Sequence, residues 1–339
     1  MATTATRISD VVVPEIFSPY VQQLTQEKSN IIQSGALSMD AQLSQDLSGG
    51  GGTFNNPSFK DLADDAENVS GDDPDVLSDP KKIQTATEIQ VRLSRNQSWS
   101  SMDLVKDLIV SDPLAAIGNR VSDYWTRRLQ VAFVSVGKGI FADNDAAPGG
   151  TDTHTRYDMT FDVSGTTYAA GITNFTAESF VDATLTMGDS MEDLRMIMVH
   201  SVVYARMIKN DLIDFVPDST GTTQIPMFMG RRVVVDDGMP FTGGVFDSWL
   251  IGAGSFKMGM GAAKVPTEVI RVPGAGNGAG MEVLHNRVEW CIHPAGYAYV
   301  PAYTTGGPSN ATLYAAASWS RVFPERKQIR IARLKTREF

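Results

Sequence analysis

Residues 112–140 read DPLAAIGNRVSDYWTRRLQVAFVSVGKGI, and this stretch decides the fold. Asp112 suits a helix N-cap, and Pro113 suits the first helical position. At about 1.5 Å per residue, a helix of this length would span about 42 Å. The spacing predicts one long amphipathic helix, because apolar residues recur every three or four positions at Leu114, Ile117, Val121, Tyr124, Trp125, Leu129, Phe133, Val136 and Ile140.

The composition indicates a sizeable core and no strong attraction to nucleic acid. The 339 residues are 42% hydrophobic and carry a net charge of −10, whereas proteins that grip DNA phosphates are usually basic. Cys291 is the one cysteine, which excludes an intramolecular disulfide and fits a reducing compartment. The N-terminus shows no signal-peptide pattern, and no stretch reaches the ~20 apolar residues of a membrane span. We therefore expect neither a membrane protein nor one that binds DNA over its whole surface.

The first hundred residues predict two segments that cannot fold alone. Residues 1–45 have sparse apolar positions, so this arm must lie on the body of its own chain or on a neighbour. A four-glycine run at 49–52 marks a flexible break. Residues 61–79 hold eight acidic residues and no basic one, which is typical of a solvated loop. Alternating apolar positions at 83–93 predict a strand, and residues 46–100 together predict a projecting hairpin.

The rest of the chain is mostly predicted strand and turn. The predicted elements are a short helix at 102–110, a hairpin of strands at 157–163 and 168–172, a second strong helix at 189–214, and strands at 231–235, 249–253, 269–272, 281–290 and 328–335. The glycine-rich segment 274–280 would let the two strands beside it pair. Six basic residues lie between 326 and 337. They are predicted to pair with acidic segments of this chain or a neighbour, with DNA contact as the less favoured alternative.

Side chains that could carry catalysis or bind a metal form no known pattern. Cys291 and His293, with His285, could imitate a soft metal site, but their spacing matches no zinc pattern. We expect Cys291 and His293 to lie on a strand, and His200 to be partly buried within a helix. The acidic run lacks the calcium-loop spacing, and the common nucleotide-binding and hydrolase motifs are missing. The sequence therefore predicts no catalytic residue, no cofactor and no metal site.

Three segments carry a family resemblance: VVVPEIFSPY at 11–20, DPLAAIGNR at 112–120 and MVHSVVYARM at 198–207. They are similar to segments of the major capsid (coat) proteins of tailed bacteriophages, and the order of the predicted parts resembles that family over nearly the whole chain. The resemblance implies an α+β fold, the tailed-phage major capsid fold that encapsulins share. Its parts are an N-terminal arm, an extended loop, a long spine helix, a peripheral domain and an axial domain.

The resemblance also implies a division of the chain. Its parts are the arm 1–45, the extended loop 46–100, the peripheral domain 101–184 with the spine helix 112–140, the axial domain 185–325 with returning peripheral strands near 265–292, and the C-terminal peripheral strand 326–339. In such a shell the acidic loop of one subunit would meet basic residues on the spine helix of another. The candidate contact residues between subunits are Arg120, Arg127, Arg128, Asp64, Asp65, Asp72 and Asp73.

The implied function is structural and not enzymatic. Copies of the chain would self-assemble as pentamers and hexamers into the icosahedral head shell around the double-stranded DNA genome. The implied partners are other copies of the chain, a separate scaffolding protein, the portal protein, decoration proteins and packaged DNA contacted non-specifically. A separate scaffold is expected because arm-like sequence already begins by Val11. The chain would reside in the virion after assembly in the cytoplasm of the bacterial host.

Two alternatives stay open from the sequence. An encapsulin-like compartment would share the fold but store a cargo enzyme, and a soluble hydrolase is a third and weaker alternative.

Some relatives crosslink their subunits through a Lys–Asn isopeptide bond. Lys60, Lys81 and Lys82 lie in the loop, but no matching asparagine or catalytic glutamate is recognised, so the crosslink is not predicted.

Overall fold

The computed structural model has an α+β architecture in which one long helix packs against two mostly antiparallel sheets. It describes residues 34–59, 66–70, 80–83, 85–103, 113–147, 154–217 and 224–339, together with residues 62, 72, 75, 77 and 78.

The helices and strands alternate irregularly along the chain. The α-helices of five or more residues are α1 (Ala41–Gly49), α2 (Pro113–Asp145), α3 (Ala177–Leu185), α4 (Ser201–Lys209) and α5 (Asn310–Tyr314). The strands are β1 (Leu37–Met39), β2 (Thr53–Phe59), β3 (Thr85–Val91), β4 (Leu93–Met102), β5 (Thr160–Asp162), β6 (Leu194–Val199), β7 (Asp214–Pro217), β8 (Gln224–Phe228), β9 (Arg231–Val235), β10 (Phe241–Thr242), β11 (Val245–Gly252), β12 (Phe256–Gly261), β13 (Thr267–Val272), β14 (Met281–Pro294), β15 (Tyr297–Tyr299), β16 (Trp319–Arg321) and β17 (Ile331–Arg337).

The long helix predicted from the sequence is confirmed as α2. Its described apolar face is buried at steps of three or four residues, at Val121, Trp125, Leu129, Phe133, Val136 and Ile140. The helix continues to Asp145, five residues beyond the predicted end. Polar residues in its last turn find partners there, since Asn144 Nδ2 donates to Asp158 Oδ1 at 2.7 Å. Asp112 lies outside the described residues.

The five-stranded sheet covers the first half of α2. Its central strand, β14, pairs with β12 and β13 along one edge and with β4 along the other. The predicted pairing of the two strands beside the glycine-rich segment is therefore confirmed. Trp125 of α2 meets Trp290 of β14 edge to face, with ring centroids 5.6 Å apart. This contact fixes the helix on the sheet.

The eight-stranded sheet carries the second half of α2 on one face. Its order is β5-β17-β11-β6-β9-β8-β7, with β10 paired to β11. The rings of Phe133 and Phe141 pack on Trp249 of β11. The opposite face buries Leu250 and Leu334 under α3 and α4. The predicted final strand is confirmed as β17, and it lies in this sheet between β5 and β11.

The projecting hairpin is formed by β2 and β3, which pair antiparallel from Thr53 with Val91 to Phe59 with Thr85. The strand predicted at 83–93 is thus confirmed. The side of β3 that the alternation predicts to be buried is wrong, since Ala86, Glu88 and Gln90 are buried and Thr85 and Thr87 are exposed. We call the predicted loop segment 46–100 the excursion, and its residues 66–70 are exposed.

The second predicted helix, 189–214, is wrong over its first half. Residues 194–199 form β6, a central strand between β11 and β9, whereas 188–193 form a short 3-10 helix and only 201–209 are α-helical. The run Leu-Arg-Met-Ile-Met-Val is buried on both faces of the sheet, so its apolar residues show no strand alternation. His200 is not inside the helix but caps it, because its Nδ1 accepts from Val202 N–H at 3.2 Å.

Two smaller predictions also need correction. The strand at 157–163 shrinks to β5, and residues 168–172 form turns and no hairpin strand. β5 pairs in parallel with β17 instead, so a long-range partner replaces the predicted local one. Strand β4 runs on to Met102. The predicted arm up to residue 33 and most of the predicted helix 102–110 lie outside the described residues.

Candidate functional site

The candidate contact surface on α2 consists of arginines that the helix turns away from the core. Arg120, Arg127 and Arg128 lie between the buried positions of the helix, and all three are exposed. Arg127 Nε donates to the backbone oxygen of Asp123, one turn earlier, at 3.3 Å. Because two helical turns separate Arg120 from Arg127, both side chains lie on the same side of the helix.

A fourth arginine, Arg95 of β4, joins this group. Its guanidinium donates to the backbone oxygens of Gly306, at 3.2 Å, and Pro308. Its pKa is lowered, first by burial and then by the positive charge of Arg128. Within the described part of the chain, none of these four arginines forms an ion pair. We call Arg95, Arg120, Arg127 and Arg128 the arginine surface.

The sequence did not indicate Arg95. Its approach to Arg128 depends on the pairing of β4 with β14 and on the distant loop at 306–308. No local pattern in residues 93–102 carries that information.

The acidic half of the predicted contact is described only in part. Asp72 is exposed and makes no ion pair with a described residue. Asp64, Asp65 and Asp73 lie outside the described residues. Asp72, the acidic candidate that the structure describes, thus forms no ion pair with the arginine surface of its own subunit.

The excursion that carries the acidic run also exposes large apolar side chains. Their exposed fractions range from 52% to 93%, at Phe59, Leu62, Val69, Leu77 and Ile83. Large apolar groups on a projecting segment gain nothing from exposure to water, so surfaces of this kind usually bind another protein.

The basic C-terminal segment pairs with carboxylates of its own chain, as predicted. Arg333 donates to Asp145 at the end of α2 at 2.5 Å, and Lys335 Nζ lies 3.3 Å from the same carboxylate. Arg333 is also 3.6 Å from Asp247, whose pKa is raised by burial. These groups line a cleft of about 460 Å³ that is bordered by the exposed rings of Phe241 and Tyr314. The floor of the cleft therefore consists of ion pairs between residues of one chain.

The cysteine and two of the histidines belong to strand β14. Cys291 and His293 lie on β14 as predicted, and both are buried. Burial raises the pKa of the Cys291 thiol to about 12 and lowers the pKa of His293 to about 3. His285 Nδ1 lies 2.6 Å from Ser98 Oγ. Among the described residues, no group of three or more Cys, His, Asp or Glu side chains is placed to hold a metal ion.

No helix within the described ranges is both long enough and apolar enough to cross a membrane. No protein-family model matches the sequence. The major capsid protein of Bacillus phage SPP1 is 38% identical over 341 residues, which cover 98% of each chain.

Solved structures share the fold at much lower sequence identity. The capsid asymmetric unit of cyanophage Pam1 matches 89% of this chain and 88% of its own, with a TM-score of 0.54 and 11% identity. The capsid of Ralstonia phage GP4 matches 90% of this chain and 88% of its own, with a TM-score of 0.53 and 10% identity. These matches confirm the predicted tailed-phage capsid fold.

The comparisons support neither the encapsulin-like compartment nor the soluble hydrolase. The chain is a structural protein and not an enzyme, and copies of it form the oligomeric shell of a virion. Identity of 38% along essentially the full length of both sequences is far above the level at which only the fold is shared. The chain belongs to the major capsid proteins of tailed bacteriophages.

Proposed function

We propose that the chain assembles as pentamers and hexamers into the icosahedral head shell that encloses a double-stranded DNA genome. The observation that carries this proposal is the excursion with exposed apolar side chains such as Val69 and Leu77. A lone subunit would leave them in water, whereas a shell offers each excursion a neighbouring copy. Many such contacts per subunit add up to a stable closed particle.

The proposed roles of the parts of each subunit follow the predicted segments. Residues 46–100 reach over an adjacent subunit. The arm 1–45 extends to a neighbour, while its described part stays on its own chain, where β1 pairs with β12 and Leu43 packs beside Cys291. Residues 101–184, with the spine helix 112–140, form the peripheral domain, and 185–325 form the axial domain near the symmetry axes. Two later regions return to the peripheral domain, namely the strands near 265–292 and the C-terminal strand segment 326–339.

Charge complementarity supports one specific contact between subunits. The arginine surface has no ion-pair partner among the described residues of its own chain, and its Arg95 and Arg128 repel each other. The excursion of another copy carries four candidate carboxylates, namely Asp64, Asp65, Asp72 and Asp73. We assign these carboxylates to the arginine surface of a neighbouring subunit.

Further partners belong to the proposal. A separate scaffolding protein directs assembly in the cytoplasm of the bacterial host, a portal protein occupies one vertex, and decoration proteins bind the outer surface. Packaged DNA is contacted without sequence preference. The net charge of −10 supports this weak contact, because a strongly basic shell would hold the DNA phosphates tightly.

Negative-stain microscopy of the expressed full chain tests the proposal. We expect rings of five or six subunits, or closed shells, either alone or after coexpression with the scaffolding protein. Size-exclusion chromatography on the same samples provides an independent check. A well-behaved small oligomer that never forms rings or shells under any condition would contradict the proposal.

A further inference from the structure

Glu88 is a buried carboxylate on the projecting hairpin. It lies in the middle of β3 and points inward, and only 3% of its surface is exposed. A buried carboxylate is costly unless other groups donate to it. A carboxylate on the buried side of β3, beside Ala86 and Gln90, therefore requires an explanation.

The Glu88 carboxylate meets groups from three separate parts of the body and hairpin. Its Oε1 accepts the Gly296 N–H at 2.7 Å, in the turn between β14 and β15. Its Oε2 accepts from Asn56 Nδ2 at 3.4 Å, directly across the hairpin. The same oxygen lies 3.8 Å from both Lys257 Nζ and His293 Nε2.

A second anchor holds the hairpin closer to its root. The Arg92 N–H donates to the Gly52 oxygen at 2.9 Å, and the Arg92 side chain donates to the Leu47 oxygen. Its guanidinium also lies 3.6 Å from Glu289 of β14. Glu88 is four residues farther out, which is about 13 Å along an extended strand. With the root fixed, the outer anchor determines the direction of the hairpin.

Apolar packing alone gives this face of the hairpin little hold. Within β3 the buried apolar residues are Ala86 and Val91, and Val91 lies beside the root. The two large sheets complete their pairing without the Glu88 side chain. Glu88 therefore contributes little to building the body and much to the direction of the hairpin.

We propose that Glu88 is a positioning residue that fixes the direction in which the hairpin β2–β3 leaves the body. It thereby presents the excursion to the neighbouring subunit, a role that rests on the proposed assembly function. The carboxylate acts through the Gly296 N–H, with Lys257 and Asn56 as supporting partners.

Distances within the unassembled full chain test the positioning directly. Spin labels at Phe59→Cys on the hairpin and Val131→Cys on α2 use two exposed sites, and the native Cys291 is buried and stays unlabelled. Labelled chain is diluted with excess unlabelled chain so that pulsed electron resonance reports distances within one subunit. We expect Glu88→Ala to increase the population of displaced hairpins about tenfold, because the substitution removes one hydrogen bond to a charged group.

Two variants make this experiment specific. Glu88→Gln keeps an oxygen for the Gly296 N–H and should restore most of the native distance. Thr87→Ala changes an exposed neighbour on the same strand and should leave the distance unchanged. A Glu88→Ala distribution that matches the parent chain and Thr87→Ala would overturn the proposal.

A second route covers the case in which Glu88→Ala does not fold. The double variant Lys257→Met with Asn56→Ala removes supporting donors from less buried positions. Broadened distances in the folded double variant support the proposal, and unchanged distances overturn the supporting role of Lys257 and Asn56.

Assembly yield separates this inference from the proposed function. We expect Glu88→Ala to lower the shell yield at an equal amount of folded subunit, and Glu88→Gln to restore it. Broadened distances with a normal shell yield would confirm the positioning role and contradict the role of the hairpin in assembly.

Discussion

The Trp125 indole Nε1–H donates a 2.6 Å hydrogen bond to Asn286 Oδ1, joining the long helix to the central strand of the five-stranded sheet. Both side chains are buried. The Asn286 amide nitrogen in turn donates to Thr267 Oγ1 at 3.0 Å. Three elements, α2, β14 and β13, thus share one buried polar chain.

Asn286→Ala should therefore cost about 2–3 kcal/mol of unfolding free energy, because it leaves a buried indole N–H without its acceptor. Urea unfolding of the unassembled subunit measures the loss. Gln97→Ala, at the exposed position opposite Asn286 on β4, should stay within about 0.5 kcal/mol of the parent. Equal effects of the two substitutions would contradict the role of the buried chain.

Val121→Lys should prevent folding of the subunit. Val121 is fully buried on the inner face of α2, and a lysine ammonium there would lose its hydration without gaining a partner. The yield of soluble chain and its far-ultraviolet circular dichroism measure the effect. Val131→Lys is the matched control, since Val131 is 42% exposed on the same helix.

Arg127→Glu should spare the subunit and weaken assembly. The side chain is exposed, so the melting temperature of the subunit should change little. The reversed charge would repel the acidic excursion of a neighbour, and the shell yield should fall most at low salt, where screening is weakest. Lys264→Glu makes the same change in net charge at another exposed site and should assemble normally.

Together these two substitutions test the assignment of α2 as the spine helix. If both Val121→Lys and Arg127→Glu form shells of normal yield and stability, that assignment is wrong.

Gly137→Ala should destabilise the subunit, although alanine normally favours a helix. A Cβ added at Gly137 would lie 2.4 Å from the Trp249 ring, which is itself buried. Overpacking a rigid core costs about 1–3 kcal/mol, more than the gain of up to about 1 kcal/mol in helix propensity. Urea unfolding measures the difference. A gain in stability would show that the helix can shift away from β11.

Acid should destabilise the folded subunit through His293. Burial, with the nearby charge of Lys257, lowers the pKa of this imidazole to about 3, against about 6.5 in an unfolded chain. Between these values the unfolded chain binds one more proton, so stability is full above pH ~6.5 and falls below it by about 1.4 kcal/mol per pH unit. His293→Leu should flatten the dependence in urea unfolding from pH 7.5 to 5.5. An equally steep loss in this variant would exclude His293 as the cause.

The sequence predicts those parts of the fold whose burial pattern is local. On α2, exposed and buried positions alternate with the helical period, so apolar Leu129 and charged Arg127 show which side of the helix is buried. On the hairpin strand β3 the pattern predicts the strand but not its buried side, since Glu88 and Gln90 are buried and Thr85 and Thr87 are exposed. Strand β6 shows no alternation, because apolar clusters cover both faces of the sheet there. Its apolar run from Met196 to Val199 therefore imitates a helix.

The candidate contact surface divides in the same way. Arg120, Arg127 and Arg128 follow from the helical period, since they lie between apolar positions. Arg95 does not, because it reaches Arg128 through strand pairing and a loop more than 200 residues away in sequence. Glu88 is hidden for the same reason, as its main partner is the Gly296 N–H. Packing between distant segments decides both positions.

The place of β17 inside the eight-stranded sheet has a consequence for synthesis. β5 cannot find its partner until residue 337 has been made, and at roughly 5–20 residues per second this delay is roughly 10–35 s. A chain that stops before Ile331 leaves the inner edges of β5 and β11 bare. Truncated chains therefore cannot complete the sheet. The pairing of β17 with β5 and β11 thus distinguishes full-length chains from truncated ones before they join the shell.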